Sequence, residues 1–150
     1  MAMSVLGANI VKVLTRYGHL FLNGLGVTLL LSLITVVCAT VLGSLITLMR
    51  RSRIPPLRWI ATAYVEVFRG TPLLLQLYIF YFLLPELVPF FSMSKFATVA
   101  MALILNSASY VAEIVRSGIQ AVDRGQAEAA RSLGLNGRQT MLRIILPQAV

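Results

Sequence analysis

The sequence predicts an all-α membrane protein, a multi-span helical bundle with three spans in this chain. Three observations predict it. Residues 17–49 contain no Asp, Glu, Lys or Arg, and about 20 apolar residues suffice to cross a bilayer. Hydrophobic residues make up 58% of the chain and charged residues 12%, more apolar surface than a soluble domain of this size can hide. The arginines gather beside the apolar runs, as they do in membrane proteins. The formal charge of +8 therefore does not imply a nucleic-acid partner, since the basic residues form no single groove interleaved with exposed aromatics.

The elements follow in order. Residues 2–19 place Leu6, Ile10, Val13, Leu14 and Tyr17 at helical spacing, with Lys12 and Arg16 between them. This is either a short interfacial helix or a poorly ordered terminus. The first span covers about residues 22–49. Its small residues, Ala39 with Gly43 and Thr40 with Ser44, allow close helix approach in lipid. Cys38 lies in this run as a small packing residue and, as a single cysteine, can form no internal disulfide. The run is too long for a signal peptide, and no A-x-A site follows it. A basic turn holds Arg50, Arg51, Arg53 and Arg58 with Pro55 and Pro56.

The second span covers about residues 60–87 and is interrupted at Arg69-Gly70-Thr71-Pro72. Thr71 followed by Pro72 reads as an N-cap and first helical residue. Residues 73–84 reach only about 18 Å as a helix, short of the roughly 30 Å hydrocarbon core. Either the preceding segment shares the crossing through a kink at residues 70–72, or the helix runs on towards Phe91. Pro85, Glu86, Pro89 and Lys95 form the next turn. The third span covers about residues 96–115, and a polar loop occupies about residues 116–147. Trp59 reads as an interfacial anchor.

Counting basic residues orients the chain. The regions after spans one and three carry nine arginines, against Lys12, Arg16 and Lys95 on the opposite side, with Arg69 set aside. The arginine-rich regions therefore face the cytoplasm and the N-terminus lies outside.

Two groups of residues are candidates for function. In the polar loop, residues 127–133 favour a helix and Gly134 stops it. Asn136 begins a second helix, with Gln139 at capping-box spacing, and Pro147 closes the stretch. Ala129 and Ala130 give the first helix a slim face, Leu133 an apolar knob, and Glu128 and Arg131 a charged edge. Such a helix suits a groove on another protein; the alternative is an amphipathic connector on lipid headgroups. The second group is polar and lies inside the spans. Asn106, Tyr110 and Glu113 fall on one helical face, and groups at that depth face a bundle interior or water. They line a passage, or they join helices, with Glu113 paired to Arg116. Glu66 and Arg69 are three residues apart and can pair. If the break at Gly70 opens on a watery cavity, Gln76 sits one turn inside it.

No phosphate-binding loop of the form G-x-x-x-x-G-K-[ST] occurs, and His19 has no acid–nucleophile set around it. No Cys/His cluster has metal-ligand spacing. The sequence thus predicts no catalytic residue, no metal site and no enzyme activity of its own.

Glu128-Ala129-Ala130, Gly134, Ile144 and Leu146-Pro147 resemble the cytoplasmic coupling loop of bacterial ABC importer permeases. Residues 65–76, residues 106–119, and Asn23-Gly24 with Thr28-Leu29 are similar to the spans of the polar amino acid subfamily, the histidine/glutamine/arginine type. The resemblance covers nearly the whole chain from about residue 20. It implies the type I importer permease fold in the inner membrane, with Glu128, Ala129, Ala130, Arg131, Leu133, Gly134, Ile144, Leu146 and Pro147 coupling to an ATPase. It further implies a passage for a zwitterionic amino acid past Asn106, Tyr110, Glu113, Gln76, Glu66 and Arg69. The implied partners are a cytosolic ABC ATPase dimer, a second permease subunit (identical or different), an extracytoplasmic amino acid-binding protein and membrane lipid. Cofactors are expected only in the partner, as ATP with magnesium. Family members continue past the Leu-Pro pair with about two further spans, so the expectation is of a chain truncated at Val150. The rival readings are a permease of the same superfamily for another small solute and a non-transporting membrane scaffold for a soluble partner.

Overall fold

The computed structural model describes residues 2–88 and 93–149, all-helical with no strand among the described residues. Helix α1 spans Ala2–Arg50 and α2 Pro55–Gly70. Helix α3 covers Leu73–Leu87 and widens into a π-helical turn at Ile79–Leu83. Helix α4 is Lys95–Ala121 and α5 is Arg124–Ser132. Helix α6 starts at Gly137–Thr140, passes through a π-helical turn at Met141–Ile145 and ends in Leu146–Ala149. Thr15–Arg50 and Lys95–Ala121 are each long and apolar enough to cross a membrane, and α2 with α3 forms a third, bent candidate.

The chain divides into two compact units, Met1–Ile34 and Thr35–Val150. The first is a stretch of α1, where the Thr28 hydroxyl donates to the Gly24 carbonyl at 2.9 Å. The interfacial helix expected over residues 2–19 is not a separate element. Helix continues without a break into the span, because no proline lies between residues 2 and 50 and nothing forces a turn. The side chains of Leu6, Ile10, Val13 and Leu14 lie outside the described residues, as do Pro89, Val150 and any continuation of α3 to Phe91.

In the second unit, the core is small and lies between α1, α2 and α4. Ala39, Ile46, Ala61, Val65, Ala108 and Ala112 form it, with Leu42, Met49 and Tyr64 packed against them. Small residues dominate because lipid gives apolar helices no reason to associate, so close backbone approach must supply dispersion and hydrogen bonds instead. Gly43 is the tightest such approach. A Cβ there would stand 2.7 Å from both the Ala108 carbonyl oxygen and the Val111 Cβ. One turn further on, the buried Thr47 hydroxyl lies 3.0 Å from the Ala112 carbonyl of α4 and 3.0 Å from the Gly43 carbonyl. The Tyr64 hydroxyl donates to the Leu105 carbonyl at 2.6 Å and joins α2 to α4. Large apolar side chains such as Leu45, Leu48, Trp59, Leu74 and Ile114 stay exposed, the outward face expected of a lipid-embedded bundle.

The interruption at Arg69–Pro72 is much sharper than a kink, since α2 and α3 meet at 105°. Thr71 and Pro72 do not act as expected. Thr71 is the C-cap of α2, its hydroxyl donating to the Val67 carbonyl at 2.8 Å. Pro72 is extended and serves as the N-cap of α3. The extended Thr71 conformation fits the restriction that a following proline imposes.

Replacing Gly43 by Ala drives a methyl group into α4 and is expected to destabilise the chain by about 1–3 kcal/mol. Gly26, with nothing within 4 Å of its would-be Cβ, takes Ala without loss. Thermal unfolding of both variants in detergent checks the contrast.

Candidate functional site

Two arrangements follow from this frame: a polar cluster between α1, α2, α3 and α4, and a short outer helix carried by α6.

The cluster begins with the bend between α2 and α3. A helix end leaves carbonyls without intrahelical partners, and inside a membrane these must be satisfied by protein or water. Gln76, 5% exposed, does much of this. Its amide nitrogen lies 2.8 Å from the Phe68 carbonyl, 3.2 Å from the Thr71 carbonyl and 2.8 Å from the Thr71 hydroxyl. Its amide oxygen accepts from Asn106 Nδ2 at 3.0 Å. Asn106 on α4 thus reaches the α2–α3 break through Gln76.

Two turns along α4, Glu113 receives three arginines. Arg50, the last residue of α1, donates to Oε2 at 2.8 Å. Arg116 bonds the same carboxylate from the next turn of α4 and extends to Gln120 Oε1 at 2.6 Å. Arg69, at the end of α2, stands 3.6 Å from Oε2, and its guanidinium lies 5.7 Å from the centre of the Tyr110 ring, within cation–π range. Three guanidiniums on one carboxylate leave the cluster with net positive charge. Arg69 is its most exposed charged member, at 41% of its side-chain surface, against 33% for Arg116, 17% for Arg50 and 20% for Glu113.

Of the six residues expected along the passage, five fall into two contact groups, Asn106 with Gln76 and Arg69 with Tyr110 and Glu113. Glu66 is apart from them. It is exposed, and Arg69 faces Glu113 instead of the Glu66 three residues before it. Two members were not anticipated. Arg50 enters the sequence reading only through the orientation of the chain, and Thr71 has the composition of a helix start. Pairing across 63 residues leaves no mark in local spacing. Among the described residues, no group of three or more His, Cys, Asp or Glu side chains could hold a metal.

The outer helix is α5. It starts earlier than residue 127, because Asp123 caps it by accepting from the Gly125 amide at 2.6 Å. Its end is Gly134, whose φ of +82° is the left-handed conformation that glycine adopts at least cost. Asn136 and Gln139 then close the capping box in both directions, each bond 2.9 Å long. Ala130 is buried at 4% exposure, whereas Glu128, Ala129, Arg131 and Gly134 are exposed. Leu133 is 81% exposed. The two alanines thus do not share a face: Ala130 seats the helix and Ala129 is presented outward. Ile145 is buried, with Ile144 and Leu146 half-buried beside it and Pro147 exposed. The end of α6 returns to α4 at Gly118, where an added Cβ would lie 2.6 Å from the Ala149 carbonyl oxygen.

These features define a multi-pass helical membrane protein with a charged interhelical cluster and a protruding helix. The family described as "Binding-protein-dependent transport system inner membrane component" matches residues 36–150, and the chain belongs to it. The chain is 46% identical over 128 residues to the arginine transport system permease protein ArtQ of Bacillus subtilis (strain 168), covering 85% of this chain and 58% of that one. It is 41% identical over 140 residues to the probable glutamine ABC transporter permease protein GlnM of the same organism, covering 93% and 64%. A crystal structure of an amino acid ABC transporter with histidines superposes with a TM-score of 0.85 at 45% identity, over 91% of this chain and 63% of that one. The chain thus spans less than two thirds of each of these proteins. The all-α bundle of the type I importer permease kind expected from the sequence agrees with the observed fold.

Replacing Glu113 by Gln leaves Arg50, Arg69 and Arg116 without their carboxylate. The expected cost is about 1–3 kcal/mol, between the values for exposed and buried pairs. Glu66→Gln, at an exposed position, should stay within about 0.5 kcal/mol. Unfolding of the two variants in the same detergent distinguishes them.

Proposed function

We propose that this chain forms membrane-spanning helices of the permease subunit of an ATP-driven importer of polar amino acids, in the bacterial inner membrane. The observation that carries the reading is α5: a helix seated through Ala130, capped at both ends, that presents Leu133 at 81% exposure. In this reading Leu133 and Ala129 enter a groove on a cytosolic ABC ATPase, and Glu128 and Arg131 make charged contacts at its rim. Gly134 turns the chain, and Ile144, Leu146 and Pro147 fix the helix that carries the motion back to α4. The basic turns then face the cytoplasm and the N-terminus lies outside. A second permease subunit completes the passage, and an extracytoplasmic binding protein delivers the solute. ATP and magnesium act in the partner, and this chain performs no hydrolysis.

The polar cluster is the proposed passage wall. Arg69 is partly exposed and shares Glu113 with two other arginines, so its charge is incompletely balanced and attracts a substrate carboxylate. Tyr110, 46% exposed, adds an aromatic face beside it. Asn106 and Gln76 hold the broken helix in place behind this surface. The names of the relatives, arginine and glutamine permeases among them, support an amino acid over another small solute.

Reconstitution with the ATPase and the binding protein tests the reading, with ATP-driven accumulation of labelled amino acid in vesicles as the expected result. Binding of the ATPase with no accumulation would favour a scaffold. Replacing Tyr110 by Leu should lower uptake at least tenfold at unchanged expression, a loss of about 1.4 kcal/mol in transition-state terms. Unchanged uptake removes Tyr110 from the passage. A cysteine at Leu133, in a chain whose Cys38 is replaced by Ser, should crosslink to the ATPase in the assembled transporter. A cysteine at the buried Ala130 should not.

A further inference from the structure

A basic cleft of about 530 Å³ lies where α1 ends and α2 begins, adjoining the Glu113 cluster through Arg50 and Arg116. Arg50, Arg51, Arg58 and Arg116 line it, with Thr62 and Gln120. Two of the four guanidiniums are already held in place. Arg50 is bonded to Glu113, and Arg116 is bonded to Glu113 and Gln120. Arg51 and Arg58 are exposed, and among the described residues neither has an ion pair with a carboxylate. Four positive groups thus line a cleft with no carboxylate among its lining residues, and only Arg50 and Arg116 of the four pair with Glu113.

We propose that this cleft binds the phosphate of an anionic phospholipid. Guanidinium groups suit phosphate oxygens in a planar, two-pronged geometry, and fixing two of them in advance lowers the ordering cost of binding. The surroundings favour a lipid over a soluble phosphate. Leu45 and Leu48 on the last turns of α1 are 52% and 66% exposed, and Trp59 and Ile60 on the first turn of α2 are 66% and 64% exposed. A basic cleft at the end of the candidate span Thr15–Arg50 and the start of the bent pair α2–α3, on helices that also carry exposed apolar side chains, matches an amphiphile with its headgroup in the cleft and its acyl chains along the helices. Arg51 also lines a neighbouring cleft of about 710 Å³ beneath α5, together with Arg124, Arg131 and Asp123. A bound headgroup therefore sits beside the outer helix.

Native mass spectrometry of the full chain in mild detergent, offered phosphatidylglycerol or phosphatidylcholine, tests it. The unaltered chain should retain phosphatidylglycerol in preference to phosphatidylcholine. Arg51→Gln with Arg58→Gln should reduce that retention roughly tenfold or more, and Arg51→Lys with Arg58→Lys should restore most of it. Circular dichroism checks that the helices persist; if the double variant fails to fold, the single Arg58→Gln change serves for the same comparison. Equal retention by the unaltered chain and the folded Gln variant overturns the proposal, as does equal retention of the two lipids. Displacement of phosphatidylglycerol by millimolar inorganic phosphate assigns the cleft to a soluble phosphate and overturns the lipid assignment. Loss of ATPase co-purification in the Gln variant, with lipid retention intact, assigns it to a protein contact and overturns it as well.

Discussion

The bundle depends on one carboxylate. Glu113 ties the end of α1 through Arg50, the end of α2 through Arg69 and the next turn of α4 through Arg116. Apolar burial contributes little between helices in lipid, and the shared core here consists largely of alanines. Directional contacts must then set which helix faces which. The Glu113 cluster, the Thr47 contact with Ala112 and the Tyr64 bond to Leu105 all converge on α4. That helix is the post against which the others are aligned.

The same constraint explains how the bend between α2 and α3 is held. A bend of 105° exposes backbone groups that a membrane interior does not satisfy. The chain meets this with side chains from both sides of the bend, Thr71 and Gln76, and steadies Gln76 from α4 through Asn106. Polar residues that look costly in a span thus have two duties. They stabilise an irregular backbone, and they leave Arg69 and Tyr110 open where that backbone bends. The unusual geometry and the proposed passage are two aspects of one arrangement.

Much of this was legible in the sequence because it is local. The uncharged run over residues 17–49 marks a span by length alone. Gly134 announces the turn because a left-handed residue is needed there, and Asn136 with Gln139 announces a capping box by spacing. The face shared by Asn106, Tyr110 and Glu113 follows from helical periodicity. What was not legible depends on distant partners. Glu66 and Arg69 have pairing distance along the helix, yet Arg69 turns to a carboxylate on α4. Thr71-Pro72 has the composition of a helix start, but the sharp bend moves both residues into the junction. Ala129 and Ala130 look equivalent in sequence, and only the packing of α5 on α6 tells the seated one from the presented one. The continuity of α1 was missed for the opposite reason: a shift in polarity near residue 20 suggested a boundary where the backbone has no cause to break.

A short path of helix contacts joins these parts. Helix α5 is carried on α6, α6 returns to α4 at Gly118, and α4 holds Glu113 and Asn106. In the proposed importer, a push on Leu133 would reach the charged cluster through these helix contacts. Spin labels at Ser132 on α5 and Ile114 on α4, both exposed, with Cys38 replaced by Ser, test this directly in the assembled transporter. Under the proposed function, their separation, measured by pulsed electron resonance, should remain constant when ATP binds to the partner ATPase, while the distance from Ile114 to the same site on the proposed second permease subunit changes. A separation between Ser132 and Ile114 that shifts by several ångströms, with the distance across the permease pair unchanged, would contradict the account.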